Sequence, residues 1–126
     1  MTDIPAASAA ALCERLGLAP GMRGTVIALP EHAPQYLGLP EAYISTATAG
    51  LDFVVVFCRT GEDVRTRAPS AAKMAAADGR VWVFYPAAGE LAGDPDRWED
   101  LAALGYSAEA EFALDPTWSA IAFRRS

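Results

Sequence analysis

Phe53-Val54-Val55-Val56-Phe57-Cys58 is an apolar run without a polar side chain anywhere in it. A strand that met water on one side would alternate apolar and polar residues, so both faces of this one must be covered. Helices cover both faces of a sheet when its parallel strands are joined by helical crossovers. The run therefore predicts an α/β domain with this segment as its central strand.

The flanking segments supply the neighbours. Thr25-Val26-Ile27-Ala28-Leu29, bounded by Gly24 and Pro30, and Val81-Trp82-Val83-Phe84-Tyr85 read as further buried strands. Between the central strand and the latter, Gly61 to Asp78 is rich in helix formers, and Pro69 inside it predicts a kink or two short helices. Ala9, Leu12, Cys13 and Leu16 fall on one helical face, stopped by Gly17. Glu31 to Leu39 predicts a short helix interrupted by Pro34, and Tyr43-Ile44-Ser45-Thr46 a strand. Asp94-Pro95 has the pattern of a helix cap with proline at the first helical position, followed by Trp98, Leu101 and Ala102 as the buried stripe. Glu109–Leu114 and Trp118–Phe123, joined at Asp115-Pro116, must pair antiparallel because the turn between them is so short. Residues 1–126 thus read as one domain, a three-layer α/β sandwich whose mainly parallel sheet closes on a C-terminal antiparallel hairpin. That ending is like the one in class I methyltransferases, in a reduced form.

Charge narrows the partners. Ten basic residues against sixteen acidic leave a net charge of −6, which argues against nucleic acid, whose backbone is held by clustered Lys and Arg. Cys13 and Cys58 are too few for a disulfide scaffold, and His32 is the only histidine to join them, so no metal site is expected. Neither a secretory signal nor a bilayer-spanning run is found, which predicts a cytoplasmic protein with no membrane partner.

Ligands of open α/β sheets bind beyond the carboxyl ends of the strands. After the first strand this chain has Leu29-Pro30-Glu31-His32 where a glycine-rich turn would let a cofactor approach the backbone. The second strand ends in Thr46-Ala47-Thr48 rather than in an acid that would hold a ribose, and no Walker loop replaces these features. No cofactor is expected on that basis. Pro30, Glu31, His32, Arg59 and Tyr85 are the candidate ligand-binding residues, converging on one crevice, with Arg59 to grip a carboxylate or phosphate. His32 reads either as an acid, base or ligand contact, or as a surface histidine; Arg59 reads either as the anchor or as a solvated charge at a strand end. Nothing in the sequence lowers the pKa of Cys58, and Trp82, Trp98 and Trp118 read as packing residues.

Leu16-Gly17-Leu18-Ala19-Pro20-Gly21-Met22-Arg23, Leu51-Asp52-Phe53-Val54-Val55, Gly79-Arg80-Val81-Trp82-Val83 with Tyr85-Pro86, and Ala113-Leu114-Asp115-Pro116-Thr117-Trp118-Ser119-Ala120-Ile121-Ala122-Phe123-Arg124 resemble, in that order, a family of small bacterial proteins, domain of unknown function DUF3052. The resemblance covers most of the chain after residue 10. It implies a methyltransferase-like fold and no assigned activity. Members carry a lysine after the equivalent of Tyr85-Pro86 and a Thr-Asp-Leu opening the next helix, where this chain has Ala87-Ala88 and Asp94-Pro95.

The expectation is a non-catalytic or ligand-sensing domain with a degenerate methyltransferase-like fold. One alternative is an enzyme acting on a small acidic molecule, anchored by Arg59 with His32 or Glu31 as acid or base. The other is an interaction subunit that pairs with a protein partner or a second copy of itself.

Overall fold

The computed structural model describes residues 9–31, 37, 39, 40, 43–94 and 96–125. The elements run α1 (Ala9–Leu16), β1 (Gly24–Ile27), β2 (Leu51–Phe57), α2 (Gly61–Met74), β3 (Ala75–Pro86), α3 (Glu99–Ala103), β4 (Tyr106–Ala113) and β5 (Trp118–Arg125), with a 3-10 turn at Leu91–Gly93. The strands form one sheet in the order β1-β2-β3-β5-β4. β2 pairs in parallel with β1 and β3, while β5 lies antiparallel between β3 and β4.

The apolar run occupies β2, and Phe53 to Cys58 are each no more than 1% exposed. Alternate residues feed two cores. On one face Val54, Val56, Val81 and Val83 meet Val64, Ala68 and Ala71 of α2 and Leu101 of α3. On the other, Phe53, Val55, Phe57, Trp82 and Phe84 meet Leu12 and Leu16 of α1 together with Leu37. The result is the expected three-layer sandwich, closed by the antiparallel hairpin of β4 and β5.

Local departures from the sequence reading have local causes. β1 stops at Ile27 rather than Leu29, because Ala28 takes a left-handed conformation with φ 62° that leaves the sheet. Tyr43 to Thr46 form no strand; Ile44 makes a single parallel bridge to Gly24, and the Ser45 N–H donates to the Gly24 carbonyl at 2.8 Å. α2 runs through Pro69 as one helix, and the carbonyl that Pro69 deprives of a donor belongs to exposed Arg65, on the helix face away from the core. Asp94 caps no helix: its Oδ1 accepts from the Asp96 N–H at 2.9 Å in a turn, and α3 starts at Glu99. The expected helix at Glu31 to Leu39 and the Pro95 position fall largely or wholly outside the described residues. Both cysteines are free and buried. Among the described residues no helix is long and apolar enough to cross a membrane.

Candidate functional site

β1 and β2 lie side by side and parallel, yet the chain leaves them in opposite directions. After β1 it crosses the α1 face, where Leu37 is fully buried, Leu39 and Tyr43 pack alongside, and Tyr43 meets Phe53 edge-on at 6.4 Å. After β2 it enters α2, which covers the other face. Adjacent parallel strands whose continuations part to opposite faces leave a crevice at their carboxyl ends, the position where open α/β sheets bind ligands.

The β1 side of this crevice is built by backbone geometry. Ala28 holds a conformation that costs a non-glycine residue of order 1 kcal/mol, and it does so directly at the strand's end. Leu29 follows, 45% exposed, then half-buried Pro30 and exposed Glu31. His32 lies outside the described residues.

The β2 side is built by a helix cap. Thr60 precedes α2 in extended conformation, and its Oγ1 accepts from the Asp63 N–H at 3.1 Å. Asp63 Oδ2 in turn accepts from the Arg59 N–H at 2.9 Å, which fixes the backbone at Arg59. Arg67 reaches back to donate to the Phe57 carbonyl at 2.7 Å and pairs with Asp63 at 3.5 Å. The Arg59 side chain runs from the end of β2 toward the start of β5, across the end of β3. Its guanidinium carbon stands 5.7 Å from the ring centroid of Trp118, and it forms no ion pair with a carboxylate among the described residues. Trp118 is itself held edge-on by Phe57 at 5.2 Å, and Phe57 by Phe84 at 5.3 Å.

Pro30, Glu31 and Arg59 thus stand at the ends of neighbouring strands. Tyr85 does not join them. It reaches the same end of the sheet but packs on the α2 face, against Trp98 at 5.3 Å, with its hydroxyl donating to Glu111. Burial first, and then the Glu111 carboxylate, push its phenol up to about 12. Cys58, beside Arg59 in sequence, points to the α2 face and is fully buried; burial drives its thiol up to about 12 against the pull of Arg67. Neither group is poised to lose a proton near neutral pH. Trp118, which the sequence offers only as packing, is the residue that supports Arg59. The signal for it was the antiparallel hairpin, because a strand running opposite to β3 places its first residue at the carboxyl end of the parallel strands.

No family model matches the chain, and no curated protein matches it. Solved structures do match. A TehB-like SAM-dependent methyltransferase from Corynebacterium glutamicum is 14% identical, with a TM-score of 0.58 over 99% of this chain and 90% of its own. Fibrillarin, a pre-rRNA processing protein of Methanococcus jannaschii, is 13% identical, with a TM-score of 0.56 over 98% of this chain and 77% of its own. A ribosomal protein L11 methylase from Lactobacillus delbrueckii subsp. bulgaricus is 12% identical, with a TM-score of 0.54 over 96% of this chain and 67% of its own. The fold is that of the Rossmann-like class I methyltransferases. These similarities overturn the expectation of a non-catalytic or ligand-sensing domain, since the structure that shares the fold over 99% of this chain and 90% of its own is a SAM-dependent methyltransferase. That expectation rested on missing glycines after β1. Ala28 adopts there a left-handed conformation that normally favours glycine, and it adds only a methyl group.

Proposed function

We propose that the chain is an enzyme that holds a small carboxylate-bearing molecule in the crevice at the carboxyl ends of β1 and β2. The observation that carries this reading is Arg59: it follows β2 where the β1 and β2 connections diverge, and its guanidinium rests on Trp118 without an acidic partner among the described residues. S-adenosylmethionine is the first candidate, because the fold belongs with its users. The donor set suits its amino-acid end, with Arg59 for the carboxylate and Glu31 supplying a carboxylate at the same end for the ammonium. Ser45 and Thr46 are not placed to take its ribose, since Ile44 bridges the amino end of β1 instead. When bound, S-adenosylmethionine supplies an electrophilic methyl group on its sulfonium. The task of this chain's own residues is to bind and orient. Membership of the DUF3052 family belongs to the same proposal and rests on the order of the segments quoted above.

Calorimetric titration with S-adenosylmethionine and S-adenosylhomocysteine tests it, alongside quenching of tryptophan emission by ligand near Trp118. Arg59→Ala is expected to weaken binding by about 10- to 100-fold, the value of a hydrogen bond to a charged group, while leaving the melting temperature unchanged because Arg59 is exposed. Absence of binding by either compound removes the cofactor assignment. Equal binding by wild type and Arg59→Ala removes the site.

A further inference from the structure

The opposite end of the sheet carries a second constellation that the crevice does not use. Where α1 ends and β2 and β3 begin, a cavity of about 260 Å³ opens on the α1 face. A hollow of about 280 Å³ beside it shares Leu16, Gly17, Arg80 and Trp82. The volume lies just below the range of about 300–1,000 Å³ usual for small-molecule sites, so its occupant must be small.

Three features define what that occupant must be. Trp82 walls the cavity while only 3% exposed, and its indole N–H is buried with no hydrogen-bond partner. A buried donor without an acceptor is costly enough to be rare, which makes it a mark of a missing acceptor. Arg80 and Arg124 also line the cavity and share one carboxylate: Arg80 Nε lies 3.0 Å from Glu109 Oε2, at ion-pair distance but off the line of a hydrogen bond, and Arg124 Nε lies 3.5 Å from Glu109 Oε1. Two guanidiniums on one carboxylate leave a net positive charge. The same cavity is lined by the carboxylates Asp52 and Asp78, and by Leu16, Leu18 and Phe53 as its apolar part. Gly17, in the left-handed region at φ 72°, ends α1 so close that a Cβ there would lie 3.4 Å from Arg80 Nη1.

We propose that this cavity binds a free α-amino acid with an apolar side chain. Its carboxylate accepts from the Trp82 N–H and faces Arg80 and Arg124, its ammonium meets Asp52 and Asp78, and its side chain lies against Leu16, Leu18 and Phe53. A molecule of single charge would leave one set of charges unanswered. The site is independent of the Arg59 crevice, at the other end of the strands.

Titration of the full chain with L-leucine, L-leucinamide and 4-methylpentanoate, followed by calorimetry and tryptophan emission, tests the proposal. L-leucine is expected to bind with a Kd below about 1 mM, and each single-charge analogue about tenfold more weakly, as for one lost hydrogen bond to a charged group. Trp82→Phe, which removes the N–H, should weaken L-leucine about tenfold. Should that core variant fail to fold, exposed Asp78→Asn serves instead: it should weaken L-leucine about tenfold and leave 4-methylpentanoate unchanged. Arg59→Ala should leave all three titrations as they are. No heat and no emission change at 10-fold above that Kd, equal affinity for L-leucine and 4-methylpentanoate, an unaffected Asp78→Asn, or a crystal of the mixture with only water on the indole N–H would each overturn it.

Discussion

The two ends of the sheet handle charge in opposite ways. At the carboxyl end a single guanidinium, Arg59, rests on an aromatic ring with no carboxylate paired to it among the described residues. At the amino end Arg80 and Arg124 share Glu109, and Asp52 and Asp78 line the same cavity. An unpaired surface guanidinium keeps its hydration, so it is cheap to maintain and available to one anionic group. A cavity with guanidiniums on one side and carboxylates on the other gains little from a lone anion, and it answers best to a molecule that carries both signs. The contrast teaches that the same residue type marks different ligand classes according to what stands beside it.

The largest expected effect tests how the carboxyl end is held. Phe57 is 1% exposed and contacts Phe84 and Trp118 edge-on, so it joins the aromatic core to the ring under Arg59. Phe57→Ala should cost about 3–5 kcal/mol, measured as a shift in the urea midpoint. A cost below about 1 kcal/mol would mean that Trp118 is supported from elsewhere and that this end owes its order to something other than aromatic packing.

Backbone contact, rather than aromatic packing, holds the amino end together. Gly79 sits where the register between β2 and β3 shifts, and a Cβ there would lie 2.6 Å from the Leu51 carbonyl oxygen and 3.1 Å from that of Asp52. Neither oxygen belongs to a side chain that could turn away. Gly79→Ala should destabilise by about 1–3 kcal/mol, as overpacking does, and loosen the cavity wall formed by Asp78 and Arg80. An unchanged urea midpoint would show that β3 moves freely there, and the difference between the ends would shrink.

These two residues also illustrate what the sequence could tell. The burial of Phe57 was legible, because an unbroken apolar run has only one way to satisfy itself in a domain of this size. So were the parallel core and the antiparallel hairpin. The crevice was half legible: Arg59 was marked by its place after the central strand, but the support of Trp118 required the direction of β5. Ala28 was not legible, since a left-handed alanine leaves no trace in composition, and missing glycines were all that the sequence offered there. Tyr85 was assigned to the crevice from its end of the sheet alone; its face, set by strand alternation, sends it to Glu111 instead. The amino-end cluster was invisible because Glu109 falls in an irregularity between Ala108 and Ala110, which breaks the alternation by which facing residues are counted.

Alkaline titration probes the α2 face at the carboxyl end. Burial raises Cys58 from 9.0 to about 12, and burial together with Glu111 raises Tyr85 from 10.0 to about 12. In both cases the folded pKa lies above the unfolded one, so the neutral form is favoured by folding. The stabilisation is complete below about pH 9 and is lost as pH rises through about 12. Urea midpoints should therefore fall across that window, and the fall should be shallower in Tyr85→Phe and in Cys58→Ala. A fall of equal steepness in both variants would mean that neither proton is held by the fold.

The smallest effect bears most directly on the contrast between the ends. Glu109, with its side chain 33% exposed, faces Arg80 and Arg124 at 32% and 50%, so water screens both pairs. Glu109→Gln should lower stability by about 0.2–1 kcal/mol at low salt, and the loss should fade in molar sodium chloride. The substitution preserves shape while removing the one carboxylate between two guanidiniums, which makes the Arg80 and Arg124 side of the cavity more positive while Asp52 and Asp78 stay in place. Affinity for 4-methylpentanoate should then rise relative to L-leucine, because a lone anion meets charge that Glu109 no longer neutralises. If the ratio of the two affinities stays where it was, pairing is not what distinguishes the amino end from the carboxyl end, and the difference must lie in the shape of the cavity.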